Sequence, residues 1–554
     1  MNHDSLFKTG GRTAVSDLIS YVHGVDEVPL RAGTIGAQLR SAARRFAGRE
    51  ALVSCQQDWR CTFAELDVAV DEVARGLLAL GVARGERVAI WATNCMEWAL
   101  VQYATARIGA ILVTVNPAYR SAEAAFVLRQ SGSRVLFSSL EHKSSDYVKL
   151  VAEAGPECPD LRHVVFLGTP DWQALIERGR DVTAGQLAAR EAELHSDDVI
   201  NIQYTSGTTG APKGASLTHH GLLNNGLFSG RRCGFTESDR ICVPVPYYHC
   251  FGMVLGNLAA LTHGACVVLP GPSFEPAAAL AAVQAERCTA LYGVPTMFIA
   301  ELMLPDFGSY DLTSLRGGII AGAPCPVELM RRLIGEMHLA DITIGYGMTE
   351  TSPLSTQTRV NDSPQRRTET VGTAHPHTEV AVVDPETGRP VPRGTPGELR
   401  VRGYSVMRGY WAAEQASREA VDQAGWMHTG DLATMDRDGY VAIIGRIKDM
   451  IIRGGENIYP REIEDFLRAH PGVADVQVVG MPDPVYGEQA VAWIKAAPGA
   501  GVSAEEILAH CAGRLAHYKI PHLVRFLEPD EDFPMTVTGK VQKHVLRERA
   551  QQLG

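Results

Sequence analysis

Helical and strand-like segments alternate along the first 200 residues of the chain. Thr62 and Glu65 form the pattern of a helix N-terminal capping box, and Leu66, Val70 and Val73 then follow at helical spacing. The pattern continues with helices over 98–108 and 122–131 and strands over 87–91, 111–115 and 135–138. Alternation of this kind is typical of mostly parallel sheets with helices on their faces. The sequence therefore predicts an α/β fold.

The pattern of predicted helices and strands changes twice further along the chain. The middle keeps the alternation, with strands over 267–269 and 290–292 and a helix over 276–286. From 371 to about 440, strand-like runs (379–383, 397–401) alternate with Pro/Gly turns, which predicts a small β-rich subdomain. Beyond 445, short strands (476–479, 490–495) and a helix (504–514) predict a small α+β domain. We expect an N-terminal domain at 1–444, a hinge at 445–448 and a C-terminal domain at 449–554.

Charge and cysteine usage exclude several classes of protein. The 554 residues carry 52 Lys+Arg against 63 Asp+Glu, and a broad nucleic-acid surface needs a basic footprint, so we expect no nucleic-acid partner. Any anionic ligand must be held by a local basic site. The eleven cysteines are scattered without a CxxC pair, and residues 1–5 lack an apolar signal-peptide segment. We therefore expect reduced thiols and a cytoplasmic location.

One long stretch carries no charge. Residues 241–274 contain no Asp, Glu, Lys or Arg, but prolines, glycines and histidines interrupt them. A membrane-spanning helix needs about 20 mostly apolar residues, so the stretch fits a transmembrane segment poorly and none is expected. Buried core is the favoured interpretation, and a pocket lining for an uncharged group stays open.

The strongest local motif is YTSGTTGAPKG at 204–214, which follows an apolar run and precedes a helical segment. Glycines let backbone N–H groups approach phosphate oxygens, hydroxyls donate further hydrogen bonds and a lysine supplies charge. Pro212 stands where a Walker A loop needs Gly, so this is a different kind of anion-binding loop. The candidate phosphate ligands are Thr205, Ser206, Gly207, Thr208, Thr209, Gly210 and Lys213.

This loop resembles the phosphate loop of the adenylate-forming superfamily, which comprises acyl-CoA synthetases, firefly-type luciferases and adenylation domains of peptide synthetases. Further motifs follow in the family's order from about residue 60 to 543. Within the superfamily the chain is most similar to medium-chain fatty acid:CoA ligases, through YHC at 248–250, RGGIIAG at 316–322 and KDMIIRGGENIYP at 448–460. The resemblance implies an N-terminal domain of two stacked, mostly parallel sheets plus the β-rich subdomain, followed by a mobile α+β lid.

A second motif, GYGMTET at 345–351, offers an aromatic ring between glycines, then a hydroxyl and a carboxylate. Mg²⁺ prefers oxygen ligands and usually takes one or two protein carboxylates beside phosphates. The resemblance implies that adenine stacks on Tyr346, next to Gly347, and that Thr349 lies near the α-phosphate. It assigns Glu350 to Mg²⁺. It also implies that a loop borders the adenine, formed by Gly322, Ala323 and Pro324.

Motifs near the C-terminus complete the implied site. Asp431 follows Gly430, and a carboxylate with two acceptor oxygens matches a vicinal diol. The resemblance implies that Asp431 binds both ribose hydroxyls and that Arg446 is a second nucleotide contact. Composition alone favours a solvated basic tail after 536, whereas the resemblance makes Lys540 the catalytic lysine. It also implies a hinge at Lys448 and a CoA-facing loop of Arg453, Gly454 and Gly455.

The reaction implied by the resemblance is ATP-dependent activation of a carboxylic acid as acyl-AMP, followed by transfer to CoA, with Mg²⁺ as cofactor. The charge-free stretch disfavours an amino-acid substrate, because a buried ammonium group without a partner is costly. An aliphatic, medium-chain acid is the favoured substrate, with Tyr248, His249 and Gly256 as the acyl pocket. An aryl or short-chain acid, a carrier-protein thiol in place of CoA, and a homo-oligomer stay open as alternatives.

Overall fold

The computed structural model describes residues 19–205, 212–454, 456–528, 530–535 and 541–552. Packing divides the chain into two compact units. The large unit comprises His23–Glu379 and Val401–His428, and the small unit comprises Met1–Val22, Val380–Arg400 and Thr429–Gly554. The predicted hinge at 445–448 lies within the small unit and stays a prediction.

Helices and strands alternate through most of the described chain. The helices are α1 (Ile35–Arg45), α2 (Phe63–Ala79), α3 (Met96–Ile108), α4 (Ser121–Ser131), α5 (Tyr147–Ala154), α6 (Pro170–Gly179), α7 (Ala184–Ala192), α8 (His219–Arg232), α9 (Ala259–His263), α10 (Pro276–Glu286), α11 (Pro295–Leu302), α12 (Val327–Glu336), α13 (Pro364–Glu369), α14 (Glu414–Ala420), α15 (Pro460–Arg468), α16 (Ala504–Cys511) and α17 (Lys543–Gln551). A π-helix spans Phe251–Leu258.

The strands up to the middle of the chain are β1 (Tyr21–His23), β2 (Glu50–Ser54), β3 (Trp59–Thr62), β4 (Arg87–Trp91), β5 (Ile111–Thr114), β6 (Ser133–Ser138), β7 (Glu141–His142), β8 (Ser145–Asp146), β9 (His163–Phe166), β10 (Val199–Thr205), β11 (Lys213–Thr218), β12 (Arg240–Cys242), β13 (Cys266–Leu269) and β14 (Ala290–Gly293). They continue with β15 (Gly317–Ala321), β16 (Asp341–Gly347), β17 (Leu354–Gln357), β18 (Thr373–Ala374), β19 (Thr378–Val383), β20 (Gly397–Gly403), β21 (Met427–Met435), β22 (Val441–Arg446), β23 (Ile451–Arg453), β24 (Glu456–Ile458), β25 (Val473–Asp483), β26 (Gly487–Ala496) and β27 (Leu523–Phe526).

Two sheets organise the large unit. One has the strand order β11-β10-β5-β4-β6-β9, and the other has the order β18-β17-β16-β15-β14-β12-β13-β2-β3. The inner pairs are parallel, and antiparallel pairing occurs at the edges, at β10–β11, β16–β17–β18 and β2–β3. The predicted α/β fold with mostly parallel sheets is confirmed.

Each of these sheets turns one face to a shared apolar core. Along β4, Val88 and Ile90 enter this core, whereas Ala89 and Trp91 pack on the opposite face. The other sheet also has one face in the shared core, since Val267 of β13 packs there whereas the next residue, Val268, packs in a separate cluster. Because strand side chains alternate between faces, the shared core lies between the two sheets. The expected stacking is confirmed.

The first helices form where the local sequence predicts them. Thr62 Oγ1 accepts from the Glu65 backbone N–H at 3.3 Å, and Glu65 Oε2 accepts from the Thr62 N–H at 2.8 Å. This capping box satisfies two N–H groups at the start of α2 that have no partner inside the helix. The buried side chains Leu66, Val70 and Val73 then face the shared core.

The charge-free stretch is buried core, as expected. Every residue of the π-helix is buried, and α9 and β13 continue the burial. Neighbouring side chains bind π-helix carbonyl groups: Gln102 Nε2 donates to the Met253 carbonyl at 3.0 Å, and the Tyr292 hydroxyl donates to that of Leu255 at 3.0 Å. None of the helices within the described residues combines the length and the apolar character that a membrane span requires.

Two expectations about local structure were wrong. The motif at 204–214 is followed by strand β11, not directly by a helix, because Lys213–Thr218 pairs antiparallel with β10. Helix α8 begins only at His219, after the N-cap Thr218. The helix expected over 504–514 ends at Cys511, because Ala512 leaves the helical conformation and Gly513 has φ +73°.

The small unit contains two further sheets. The order β1-β19-β20-β21-β22 corresponds to the expected β-rich subdomain, and the order β24-β23-β26-β25, with β27 beside β26, belongs to the C-terminal α+β region. Ile463 and Leu467 of α15 pack on Val476 and Val478 of β25 in a core of their own.

Candidate active site

The phosphate loop connects the two strands of a hairpin. Thr205 ends β10 and lies directly opposite Lys213, the first residue of β11. The Thr205 hydroxyl donates to the Lys213 carbonyl oxygen at 3.4 Å. The pairing brings the two ends of the motif together. The candidate ligands between them, Ser206, Gly207, Thr208, Thr209 and Gly210, lie outside the described residues.

Lys213, Tyr410 and Glu350 form one connected cluster in the large unit. The Lys213 Nζ lies 5.3 Å from the centroid of the Tyr410 ring, within the range of a cation–π contact. The Tyr410 hydroxyl donates a 2.7 Å hydrogen bond to Glu350 Oε1. Sequence analysis missed Tyr410, although its setting in Gly409-Tyr410-Trp411 repeats the glycine-adjacent aromatic that singled out Tyr346.

Backbone hydrogen bonds hold the segment that carries Tyr410 along β11. The Ser216 N–H donates to the Gly409 carbonyl at 2.9 Å, and the Trp411 N–H donates to the Gly214 carbonyl at 2.7 Å. These bonds flank Tyr410 on both sides. Lys213 and Tyr410 therefore belong to one short piece of antiparallel structure.

Glu350 and Thr349 occupy a buried turn after β16. A 3₁₀ turn spans Thr349–Thr351, and Glu350 is 5% exposed. The Glu350 carbonyl accepts from the Met407 N–H at 2.8 Å, which ties the turn to the Tyr410 segment. The structure thus brings Lys213, Thr349 and Glu350 of the candidate site together with Tyr410.

The acyl segment reaches the same turn. Burial, and secondarily the Glu350 carboxylate, raise the pKa of the Cys250 thiol to about 12, while a hydrogen bond with Thr349 acts in the opposite direction. Cys250 directly follows the acyl-pocket candidates Tyr248 and His249, so this segment of the chain lies near Thr349 and Glu350. A thiol with so high a pKa stays protonated near neutrality and is a poor nucleophile.

The remaining acyl-pocket candidates differ in their surroundings. The His249 Nδ1 accepts from the Phe251 N–H at 3.1 Å, so a neutral ring carries its proton on Nε2. The Tyr248 hydroxyl is buried and has no hydrogen-bond partner among the described residues. Gly256 faces Val243: a Cβ there would lie 3.1 Å from the Val243 Cγ1. The absence of a side chain at Gly256 therefore allows the π-helix to lie close to the segment that contains Val243.

The adenine candidates lie at the carboxyl ends of two adjacent parallel strands. Ala321 of β15 is paired with Gly345 of β16, and Gly322 and Tyr346 follow them. Open α/β sheets bind ligands at this edge. The loop residues Gly322, Ala323 and Pro324 are exposed there, and Tyr346 is half-buried.

Two glycines at this edge have identifiable roles. Gly322 has φ +89°, a conformation that favours glycine. A Cβ on Gly347 would lie 1.8 Å from the Pro353 carbonyl oxygen, so only glycine fits at that position.

The ribose candidates belong to the small unit. Asp431 of β21 is opposite Arg446 of β22, and Arg446 Nε lies 2.9 Å from Asp431 Oδ1. The Asp431 N–H donates to the Thr429 hydroxyl at 3.1 Å. The ion pair orients the buried Asp431 carboxylate, and the second hydrogen bond holds the Asp431 backbone.

The hinge and CoA-side candidates are also in the small unit. Lys448 lies in a 3₁₀ turn whose Asp449 Oδ1 is 3.2 Å from Arg547 Nη2 of α17. Arg453 lies over the Tyr486 ring, 5.1 Å from its centroid, and Gly454 has φ +59°. The candidates Gly455 and Lys540 lie outside the described residues.

Comparison with known proteins places these motifs in a family. The family model for AMP-binding enzymes matches residues 39–411, and that for the AMP-binding enzyme C-terminal domain matches 462–540. YngI of Bacillus subtilis (strain 168) is 48% identical over 535 residues, which cover 93% of this chain and 97% of YngI. Mitochondrial medium-chain acyl-CoA ligase ACSF2 of Danio rerio is 44% identical, with 97% of this chain and 91% of that protein covered.

A solved structure gives the same answer for the fold. ATP-bound MatB from Rhodopseudomonas palustris superimposes with a TM-score of 0.83 at 30% identity, covering 94% of this chain and all of MatB. The chain therefore belongs to the AMP-binding enzyme family, as an AMP-forming acid–CoA ligase that uses ATP, Mg²⁺ and coenzyme A.

Proposed function

We propose that this ligase activates a medium-chain fatty acid. The observation that carries the proposal is that the π-helix, α9 and β13, which follow Tyr248 and His249 in the sequence, are almost entirely buried and carry no charged side chain. Apolar surroundings of this kind suit an alkyl tail and offer no carboxylate to an amino-acid ammonium group. The Danio rerio relative, itself named a medium-chain acyl-CoA ligase, supports the same substrate class.

In the proposed first step, a carboxylate oxygen of the acid attacks the α-phosphorus of ATP. The bond from that phosphorus to the pyrophosphate oxygen breaks, giving acyl-AMP and pyrophosphate. Both reactants are anions, so cationic groups must offset their repulsion and the charge on the leaving group. We assign this role to Lys213 and Lys540, and assign Tyr346 to adenine and Asp431 with Arg446 to ribose.

The residues around Glu350 fit a Mg²⁺ ion. Glu350 is a buried carboxylate at the carboxyl edge of a parallel sheet, and Tyr410 already orients one of its oxygens. A hard cation that also binds phosphates needs only one or two such protein ligands. When bound, Mg²⁺ supplies Lewis-acid stabilisation of the phosphate oxygens. Glu350 would hold it, and Thr349 would donate to the α-phosphate.

In the proposed second step, the CoA sulfur attacks the acyl carbon, and the bond from that carbon to the AMP oxygen breaks. The thiol proton is released as the thioester and AMP form. No protein nucleophile is needed. We propose that residues 449–554 act as a lid hinged at 445–448, with Lys540 serving the first step and the Arg453–Gly455 loop serving the second.

A panel of acids tests the substrate class. Pyrophosphate release with ATP and Mg²⁺ is measured for straight-chain acids from C2 to C18, benzoate and an amino acid. We expect the largest kcat/KM between C6 and C12. A maximum at acetate, at benzoate or at the amino acid would contradict a medium-chain substrate.

The role of Lys540 has its own test. Lys540→Ala is expected to abolish pyrophosphate release, while thioester formation from supplied acyl-AMP and CoA stays close to wild type. Lys543→Ala is the matched control, since Lys543 pairs with Glu464 at 2.6 Å in the same segment. Equal loss of both half-reactions in Lys540→Ala would refute the separate role of this residue.

We also propose a cytoplasmic location. All eleven cysteines are free thiols, which supports a reducing compartment. Fractionation of the source cells with an antibody against the chain tests it, and recovery in a membrane or organelle fraction would contradict it.

A further inference from the structure

We propose that Tyr410 is a positioning residue for adenylation, which orients the Glu350 carboxylate through its hydroxyl and supports the Lys213 ammonium on its ring. The inference rests on the proposed function, because it takes Glu350 as the Mg²⁺ ligand and Lys213 as a phosphate contact. Tyr410 lies outside both the motif at 204–214, which contains Lys213, and the motif at 345–351, which contains Glu350.

The hydroxyl of Tyr410 fixes one oxygen of Glu350. The 2.7 Å hydrogen bond occupies Oε1 and thereby sets the rotation of the carboxylate. A tyrosine phenol has an ordinary pKa of about 10 and is protonated at physiological pH, so the Tyr410 hydroxyl is the donor and Glu350 the acceptor. Partners that orient a metal-binding carboxylate in this way affect metal affinity by about 10–100-fold.

The ring of Tyr410 makes a cation–π contact with the Lys213 ammonium group. At 5.3 Å from the ring centroid, the Lys213 Nζ lies within the about 6 Å range in which an aromatic face attracts a cation. Lys213 is exposed. A long exposed lysine otherwise samples many rotamers, so a fixed ring reduces the ordering cost when phosphate binds. Tyr410 thus contacts both Glu350, the proposed Mg²⁺ ligand, and Lys213, the proposed phosphate contact.

The backbone around Tyr410 makes it rigid enough for this role. Ala215 and Tyr410 form an antiparallel bridge, and the Tyr410 N–H donates to Ser417 Oγ at 2.8 Å. The Met407 N–H, three residues earlier, holds the Glu350 carbonyl at 2.8 Å. Tyr410 and Glu350 are therefore connected through the backbone as well as through the side chains.

Tyr410→Phe tests the hydroxyl. The Mg²⁺ concentration for half-maximal pyrophosphate release is expected to rise about tenfold. As a readout independent of turnover, ATP with sub-saturating Mg²⁺ should raise the melting temperature less than in wild type, whereas AMP in EDTA should raise it equally. Tyr147→Phe is the matched control: its buried hydroxyl donates at 2.8 Å to the Pro117 carbonyl, in another part of the large unit.

Glu350→Gln separates this inference from the proposed function. If Glu350→Gln raises the half-saturating Mg²⁺ concentration and Tyr410→Phe leaves it at the value of Tyr147→Phe, the inference is overturned and the Mg²⁺ assignment stands. If Glu350→Gln also leaves it unchanged, the proposed Mg²⁺ site itself is wrong. A shift in both variants, absent from Tyr147→Phe, supports both.

Tyr410→Leu tests the ring. It removes the aromatic face as well as the hydroxyl, so at saturating Mg²⁺ its KM for ATP should exceed that of Tyr410→Phe by about two- to fivefold, the usual size of an exposed cation–π contact. Equal KM values in the two variants would overturn the part of the inference that concerns Lys213.

Discussion

Arg446 Nε lies 2.9 Å from Asp431 Oδ1, and the two residues are directly paired across β21 and β22. The Asp431 side chain is 10% exposed, whereas that of Arg446 is 45% exposed. The ion pair therefore fixes a nearly buried carboxylate from its solvent side. A carboxylate held in one orientation can present a second acceptor to a ribose diol without reorganisation.

The first prediction concerns this pair. Arg446→Met removes the charged donor that orients Asp431, and a hydrogen bond to a charged group contributes about 1.5–3 kcal/mol. We expect the KM for ATP to rise at least about tenfold. Arg437→Met, in the exposed turn between the same strands, is the matched control and should leave KM unchanged. Equal effects of the two variants would contradict the role of the pair.

The second prediction concerns a buried ionic network that joins α2, α3 and α7. Arg107 is fully buried and pairs with Asp67, Asp71 and Glu191, the last at 3.1 Å. Arg107→Met removes hydrogen bonds to these carboxylates, which Arg40 of α1 still pairs with, and each hydrogen bond to a charged group contributes about 1.5–3 kcal/mol.

The measurement is the midpoint of thermal and urea unfolding. The matched control is Arg60→Met, whose side chain is 54% exposed although it also pairs with two carboxylates. It should cost at most about 1 kcal/mol. A loss in Arg107→Met no larger than that of the control would show that the network contributes little.

The third prediction concerns Cys250, which lies beside Thr349 and Glu350. Because burial raises the pKa of its thiol to about 12, the group is protonated and is not a covalent nucleophile. Cys250→Ala should change the rate of pyrophosphate release by less than about tenfold. A loss of about 10⁴-fold or more, the size seen when a nucleophile is removed, would refute the direct attack of acid on ATP.

The fourth prediction is a pH dependence of stability. Burial lowers the pKa of His219 to about 4, below its ordinary value of about 6.5. Between these values the unfolded chain binds a proton that the folded chain does not, so stability is complete above pH 6.5 and declines as the pH falls towards 4. The full decline from this residue is about 3 kcal/mol.

His219→Asn tests the direction of this pH dependence of stability. It keeps an acceptor for the Ile35 N–H, which His219 Nδ1 binds at 3.2 Å, but it does not titrate. The variant should be less stable than wild type at pH 7.5, and the difference in melting temperature should shrink by pH 5. A difference that grows on acidification would reverse the sign and contradict the prediction.

The bounds of a helix or strand can be predicted from local sequence where an apolar run or a capping residue marks its ends. The strand over Arg87–Trp91 and the helix over Pro276–Glu286 have the expected bounds, since an apolar run defines the first and an N-terminal proline the second. β11 differs: its small residues have no strong preference, and it is a strand because it pairs with β10. The π-helix likewise accepts hydrogen bonds from Gln102 and Tyr292, which come from distant parts of the sequence.

The same distinction applies to the site. Lys213 and Glu350 can be identified from short motifs, because glycines, hydroxyls and charges are concentrated around them. The hydrogen bond between Glu350 and Tyr410 joins residues 60 positions apart, and no local pattern encodes that proximity. The close approach of Gly256 to Val243, where an added Cβ would lie 3.1 Å from the Val243 Cγ1, is likewise not encoded by a local pattern, and its place in the acyl pocket stays a prediction.

Synthesis of acyl-CoA through acyl-AMP yields AMP, pyrophosphate and the thioester together, and a product balance measures all three. Purified protein is incubated with octanoate, ATP, Mg²⁺ and CoA, and AMP, pyrophosphate and octanoyl-CoA are quantified together by chromatography. We predict that the three products form in equal amounts and that omission of CoA leaves enzyme-bound octanoyl-AMP. Formation of ADP and phosphate, or of octanoyl-AMP that CoA does not convert to thioester, would contradict this route to acyl-CoA.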